Sequence, residues 1–387
     1  MKLLYYSWNE NSSPDLLAGL EEIGHEIIFF ERPGINKLKD EEFENEICEY
    51  ADIDAIISFN FFPTLSNAAK KLGVVYISWV YDSPHLTLYT DAVFNSCNRI
   101  FHFDEAEVNR LKAAGLDNIY HMPLAVNSKR LIDLCAGKTD TDRADDEPYY
   151  DISFVGSLYN GDSNLLKNVK YLPDYERGYL DSIIRSQIGI YGLDMVGLSL
   201  TDSFYKRLQK YIGINAGDDL WINDKEILRQ MIQREITSVE RIELLDALSR
   251  EFKTIVFTTD DCSQISAAEN GGYVTYFDRM PKVFNHSKIN INISLRSIET
   301  GIPLRCMDIL GAGGFLLSNY QEELVREFED GRELVVFTDK QDLLDKAEYY
   351  LAHEEERRKI ALAGRKAVME RFSYKTQLTR IFSIIGS

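Results

Sequence analysis

The chain is poor in the devices that staple or anchor a protein. It has five cysteines, Cys48, Cys97, Cys135, Cys262 and Cys306, an odd and scattered set without a CxxC pair. A disulfide framework and a zinc cluster are therefore not expected, and the thiols read as reduced. No apolar run approaches the ~20 residues that cross a bilayer. The opening Met1-Lys-Leu-Leu-Tyr-Tyr-Ser turns polar too early for a secretory signal, so a cytoplasmic protein is expected. Positive charge is short as well. Lys and Arg number 43 against 62 Asp and Glu, a formal charge of -19, and no basic patch stands out before the C-terminal helices. Such a balance repels nucleic acid and anionic membranes, and neither is expected as a partner. No His/Cys cluster has ligand spacing, Asp52 and Asp54 precede a strand rather than follow one, and Asp145-Asp146 and Asp260-Asp261 read as linker or turn acids. No metal site is expected. The absence of a GxGxxG after the first strand argues against a dinucleotide oxidoreductase. There is neither an internal repeat nor a low-complexity tract.

What is present is core material and a regular alternation. The 387 residues are 45% hydrophobic and 12% aromatic, enough for two domains. Apolar runs at 2–6, 26–30, 55–59, 74–79, 99–103 and 118–122 read as strands, with helical patterns between them that stop at Gly24, Gly73 and Gly115. This is a parallel α/β domain. Asp104-Glu-Ala-Glu107 has the form of a capping box. Residues 1–130 are assigned to an N-terminal Rossmann-like domain. The polar stretch 131–149 is assigned to a linker, and 150–370 to a second Rossmann-like domain. Strands are expected at 150–155, 254–258, 274–277, 289–293 and 315–318, and a mainly helical segment at about 165–250 interrupts them. Residues 371–387 should form a last helix, capped by Ser373, that packs back on the N-terminal domain.

The motif Arg296-Ser-Ile-Glu-Thr-Gly-Ile-Pro-Leu-Arg-Cys-Met-Asp-Ile-Leu-Gly-Ala-Gly-Gly314-Phe-Leu-Leu-Ser318 joins a glycine turn, a helix carrying an acid, and a buried strand. It resembles the donor-binding segment of GT-B glycosyltransferases. Trp79-Val-Tyr-Asp-Ser-Pro-His85, Met122-Pro-Leu-Ala-Val-Asn127, Phe154-Val-Gly-Ser-Leu-Tyr-Asn160 and the tail from Tyr349 to Gly364 accompany it in order. Together they resemble the CgeB-like, spore-maturation-type branch of that family. The resemblance covers most of the length. It implies an α/β, GT-B-like fold of two facing Rossmann-like domains, the nucleotide-sugar donor on the C-terminal one, the acceptor entering from the N-terminal one, and catalysis that needs no divalent ion.

On that basis Asp308 is the candidate for the ribose hydroxyls, because a carboxylate accepts two hydrogen bonds at once and an idle charge in an apolar run is costly. Relatives usually carry Glu here. Glu299 stands one residue off the E-x7-E spacing of those relatives and is a candidate for the sugar hydroxyls or a solvated loop charge. Arg305 and Arg296 flank the turn and are candidates for the diphosphate, with Gly156, Ser157 and Gly301 supplying amides and a hydroxyl. Surface salt bridges are the plainer reading of both arginines. Asp82 and His85 follow the fourth strand, where open α/β sheets place ligands. Asp82 would accept a proton from the acceptor or orient it, and His85 would bond the donor. A local Ser-Pro turn capped by Asp82 explains the same residues.

The expected function is transfer of a sugar from a nucleoside-diphosphate-sugar to a hydroxyl acceptor by a hexosyltransferase-like enzyme. Retention of configuration and metal independence follow from the resemblance. No cofactor is expected beyond the donor substrate, and the acceptor is a glycan, a protein or a small molecule. The alternative is a non-catalytic nucleotide-sugar-binding or interaction module of the same fold.

Overall fold

A computed structural model describes residues 1–33, 38–135, 150–162, 164–169 and 171–386. In chain order the elements are β1 (Lys2–Ser7), α1 (Ser13–Glu22), β2 (Glu26–Glu31), α2 (Glu41–Cys48), β3 (Ala55–Phe59), α3 (Pro63–Leu72), β4 (Val75–Val80), β5 (Asn98–His102), α4 (Glu105–Ala113), β6 (Ile119–His121) and α5 (Ser128–Cys135). There follow β7 (Tyr150–Val155), α6 (Asp174–Ile188), α7 (Met195–Ser199), α8 (Asp202–Leu208), α9 (Asp224–Glu251), β8 (Thr254–Phe257), β9 (Glu269–Asn270), α10 (Arg279–Asn285) and β10 (Ser287–Asn292). The last are α11 (Leu304–Gly311), β11 (Leu316–Asn319), α12 (Glu322–Glu327), β12 (Val335–Phe337), α13 (Lys340–Ala352), α14 (Glu354–Arg371) and α15 (Tyr374–Ile385). Two units result: Met1–Val126 with Asn215–Asn223 and Phe372–Ser387, and Asn127–Ile214 with Asp224–Arg371.

The first unit is a parallel sheet in the order β2-β1-β3-β4-β5-β6. Strand β3 is buried at every position, as a strand covered on both faces must be. One face packs Leu3, Tyr5, Ile57, Trp79 and Phe101 against Leu16 and Leu20 of α1 and Tyr374, Leu378 and Ile381 of α15. The entry to α15 is fixed by Ser373, whose side chain accepts a hydrogen bond from the Thr376 amide at 3.2 Å. Trp221 also belongs here. Its ring lies 4.8 Å from that of Tyr89 and its amide donates to the Tyr89 carbonyl at 2.8 Å.

The second unit holds another parallel sheet, ordered β12-β11-β10-β7-β8-β9. Between β7 and β8 stand α6 to α9, the helical segment read from the sequence. Helix α9 is 28 residues long because it serves two cores. Leu228, Ile232 and Ile236 pack with Leu180, Val196 and Phe204 of the shorter helices. Leu244, Leu245 and Leu248 pack on the sheet with Ile152, Ile289 and Leu317.

Two local expectations need correction, and one strand went unread. Residues 131–135, placed in the linker, are the second half of α5; residues 136–149 of that linker lie outside the described residues. Residues 274–277 are not a strand, because pairing on that edge ends at Asn270 and the chain turns at Gly272, with φ +67°. Strand β12, only three residues long, carries too little pattern to be read beforehand; it closes the sheet beside β11.

Candidate active site

In the first unit the order β2-β1-β3 places a topological switch point between β1 and β3, where open sheets leave a crevice at the strands' carboxyl ends. The chain leaves β3 through Asn60, which is buried and left-handed at φ +61°, a conformation Asn tolerates better than most residues. Its carboxamide organises the neighbouring exit from β4. Nδ2 donates to Asp82 Oδ2 at 2.7 Å, while Oδ1 accepts from the amides of Tyr81 at 2.9 Å and Asp82 at 3.2 Å. Asp82 is thereby held with its side chain exposed. Asn60 was not identified from the sequence, since only the fold brings it to Asp82. His85 behaves differently. Its Nε2 lies 3.1 Å from both the amide nitrogen and the carbonyl oxygen of Phe61 and 2.6 Å from Thr87 Oγ1, so this edge of the ring is used to shape the loop.

In the second unit, Gly156, Arg305 and Asp308 come together. Arg305 and Asp308 are one turn apart on α11 and share a face. A Cβ on Gly156 would stand 2.7 Å from Arg305 Nη1, so glycine is what lets the guanidinium lie against the end of β7. Arg305 Nε is buried and, among the described residues, has no hydrogen-bond partner. Burial pulls the Arg305 pKa down, opposed chiefly by the attraction of Asp308. Asp308 itself is 4% exposed and accepts a hydrogen bond from the Tyr276 hydroxyl at 3.2 Å.

A second guanidinium, overlooked in the sequence, joins them. Arg241 on α9 is 8% exposed; it donates from Nε to the Ile293 carbonyl at 3.0 Å, from Nη2 to the same oxygen, and from Nη1 to the Ser157 carbonyl. Among the described residues no carboxylate forms an ion pair with it. Its pKa is pulled down to about 10, mainly by burial, with the Arg305 charge acting in the same direction. Its ring neighbour is Tyr159, 5.0 Å away. The available signal was a charge on the buried face of an amphipathic helix, in register with Thr237, Leu244 and Leu248.

The remaining predicted residues are occupied otherwise. Ser157 donates its hydroxyl to Asp260 at 2.6 Å, and the same carboxylate takes the Leu158 and Tyr159 amides at 2.5 and 3.2 Å. Asp260 is therefore the anion that holds the loop after β7. Arg296 is clamped by Glu240, Nε to Oε2 at 2.8 Å and Nη2 to Oε1 at 2.6 Å, and donates from Nη1 to the Ile190 carbonyl at 3.1 Å. This buried ion pair is structural, and Arg296 does not join Arg305. Glu299 pairs with Arg229 at 3.1 Å, as do Asp194 and Glu226, both at 2.6 Å. Gly301 is buried in the turn that leads into α11. Among the described residues no group of three His, Cys, Asp or Glu is arranged to hold a metal ion, and no helix is long and apolar enough to cross a membrane.

The comparisons with known proteins agree with this architecture. Residues 234–383 match the family described as glycosyl transferase-like. A chain of Anabaena HepE, solved in complex with UDP and glucose, superposes with a TM-score of 0.56 at 10% identity, covering 100% of this chain and 99% of that one. Sucrose-phosphate synthase from Thermosynechococcus elongatus gives 0.54 at 9% identity over 100% and 99% of the two chains. A glycosyltransferase from Rickettsia africae gives 0.55 at 12% over 99% and 97%. An uncharacterized protein of Aquifex aeolicus is 25% identical over 116 residues, so that likeness spans 29% of either chain. The fold over the whole length is that of these solved structures, and residues 234–383 carry the glycosyl transferase-like segment.

Proposed function

We propose that the chain transfers a sugar from a nucleoside-diphosphate-sugar to a hydroxyl acceptor, with retention of configuration and without a divalent ion, as a member of the CgeB-like branch. One observation carries the reading. Two neighbouring guanidiniums, that of buried Arg241 and that of half-buried Arg305 with its Nε enclosed, lie at the end of β7, and among the described residues neither forms an ion pair with a carboxylate. Unpaired buried cations are destabilising unless an anion is meant to meet them. A diphosphate supplies that anion, and its charge grows as the glycosidic bond to it breaks, so fixed cations act where charge develops. Asp308, oriented by Tyr276, stands one helical turn from Arg305 and would take the ribose hydroxyls. Asp82, held by Asn60, would orient the acceptor; in a retaining reaction the departing phosphate can take the acceptor's proton. The UDP bound to HepE, a neighbour of the same fold, supports a nucleoside diphosphate as the first ligand to try.

The test is calorimetry with a panel of nucleoside diphosphates on the wild type and Asp308→Ala. One nucleotide should bind the wild type, and the variant should lose roughly 1.5–3 kcal/mol, the worth of hydrogen bonds to a charged group. Equal affinity in both proteins would remove Asp308 from the site.

A further inference from the structure

Arg241 and Arg296 both carry their guanidiniums inside the second unit, and they are held in opposite ways. Arg296 is clamped by the carboxylate of Glu240, which cancels its charge. Arg241 is met by neutral groups. They are the Ile293 and Ser157 carbonyls and the rings of Phe154 and Tyr159, whose centroids lie 5.4 and 5.0 Å from its guanidinium carbon. Carbonyl dipoles and ring faces fix a cation in place and leave its net charge standing. Phe154 belongs to β7 and is core, whereas Tyr159 comes from the following loop and is half-buried.

The backbone at Tyr159 is the unusual part. Its φ is +53°, in the left-handed region that a bulky side chain enters only at a cost. Both of its backbone polar groups are tied down. The amide donates to Ser157 Oγ at 2.9 Å and to Asp260 Oδ2 at 3.2 Å, and the carbonyl accepts from Asn164 Nδ2 at 3.0 Å. Asn164, 1% exposed, also donates to Glu235 of α9 at 2.5 Å, so the loop is anchored to that helix. Strain of this kind persists only where the surroundings over-determine it, and it collects at functional sites. Here it places a ring. The ring of Tyr159 lies 5.3 Å from the guanidinium carbon of Arg234 and 5.0 Å from that of Arg241. Those two residues stand two turns apart on one side of α9. A glycine at position 159 would relieve the backbone and lose the ring.

We propose that Tyr159 is the positioning residue for Arg241: the strained loop presents its ring to a guanidinium that no carboxylate neutralises, and so fixes that charge beside Arg305. That Arg241 then meets an anion rests on the function proposed above. That Tyr159 holds it does not.

The experiment uses the full chain and three substitutions. Tyr159→Asn tolerates the left-handed backbone but has no aromatic ring, Tyr159→Phe keeps the ring, and Arg241→Ala is made alone and combined with Tyr159→Asn. Without nucleotide, phenylglyoxal labelling followed by mass spectrometry reads how firmly each guanidinium is held. Labelling at Arg241 should be at least tenfold faster in Tyr159→Asn than in the wild type, and within about threefold of the wild type in Tyr159→Phe. Labelling at Arg296, in the same unit, should not change, which shows that the variant is folded. With UDP, calorimetry should find affinity lowered at least tenfold in Tyr159→Asn and nearly kept in Tyr159→Phe. In the Arg241→Ala background, Tyr159→Asn should cost no further affinity, because two residues that act as one unit do not add. Unchanged labelling of Arg241 in Tyr159→Asn, an equal rise at Arg296, or additive losses of UDP affinity would overturn the proposal. If UDP fails to bind the wild type, or binds Arg241→Ala equally well, the diphosphate reading fails and the labelling arm alone decides for or against Tyr159.

Discussion

Asp82 is an exposed carboxylate whose position is set by a buried neighbour. Asn60 devotes both ends of its carboxamide to Asp82 and the adjoining Tyr81 amide, from a backbone conformation that few other side chains tolerate. If Asp82 handles the acceptor, Asp82→Asn should leave nucleoside diphosphate affinity unchanged and lower single-turnover transfer at saturating donor. The fall would be about 10²–10⁴-fold for a true base and smaller for an orienting group. Equal rates would reduce Asp82 to the local cap of the Ser-Pro turn. His85 provides a contrast within the same motif: its Nε2 is spent on Phe61 and Thr87, so its nearest role is to hold the loop.

At the scale of elements, the loop after β7 shows how one acid builds a cationic pocket. Asp260 gathers the Ser157 hydroxyl and the Leu158 and Tyr159 amides, which frees the Ser157 carbonyl to receive Arg241. Asp260→Ala would leave the Leu158 amide and the Ser157 hydroxyl without their acceptor, at about 1–3 kcal/mol per unsatisfied buried group, while the Tyr159 amide keeps Ser157 Oγ at 2.9 Å. Hydrogen exchange at the Leu158 amide should then accelerate by at least tenfold. Unchanged exchange would show that the loop keeps its shape without Asp260. Helix α9 links this loop to the rest of the unit. Arg241 sits in its later half and Arg229 in its earlier half, so one long helix carries both the guanidinium beside β7 and the cation that pairs with Asp194, Glu226 and Glu299.

For the whole molecule the deciding property is where positive charge is left open. The chain carries -19 overall, so the proposed nucleotide would be drawn in by a local field and not by the net charge. If Arg305 and Arg241 supply that field, transfer should persist in EDTA and fall at least tenfold in Arg305→Ala. Arg305→Lys should be intermediate, since lysine keeps the charge but not the planar fork. Loss of transfer in EDTA, with recovery on adding Mg²⁺ or Mn²⁺, would refute the metal-free mechanism.

Local pattern by itself determined a good deal here. The buried runs at β1, β3, β4 and β10 and the glycine stops at Gly24, Gly73 and Gly115 marked two parallel sheets and their helices, because period and punctuation are properties of neighbours in the chain. Gly156, Arg305 and Asp308 were singled out by the resemblance to a donor-binding segment, and the fold brings the three together. What the tertiary structure alone decided was which charges remain available. Arg296 stands in the same motif as Arg305, yet Glu240, 56 residues earlier in the chain, neutralises it. Arg241 looked like one more charge on an amphipathic helix, yet among the described residues it forms no ion pair with a carboxylate. A side chain's freedom depends on its nearest countercharge in space, and folding chooses that neighbour from anywhere along the chain.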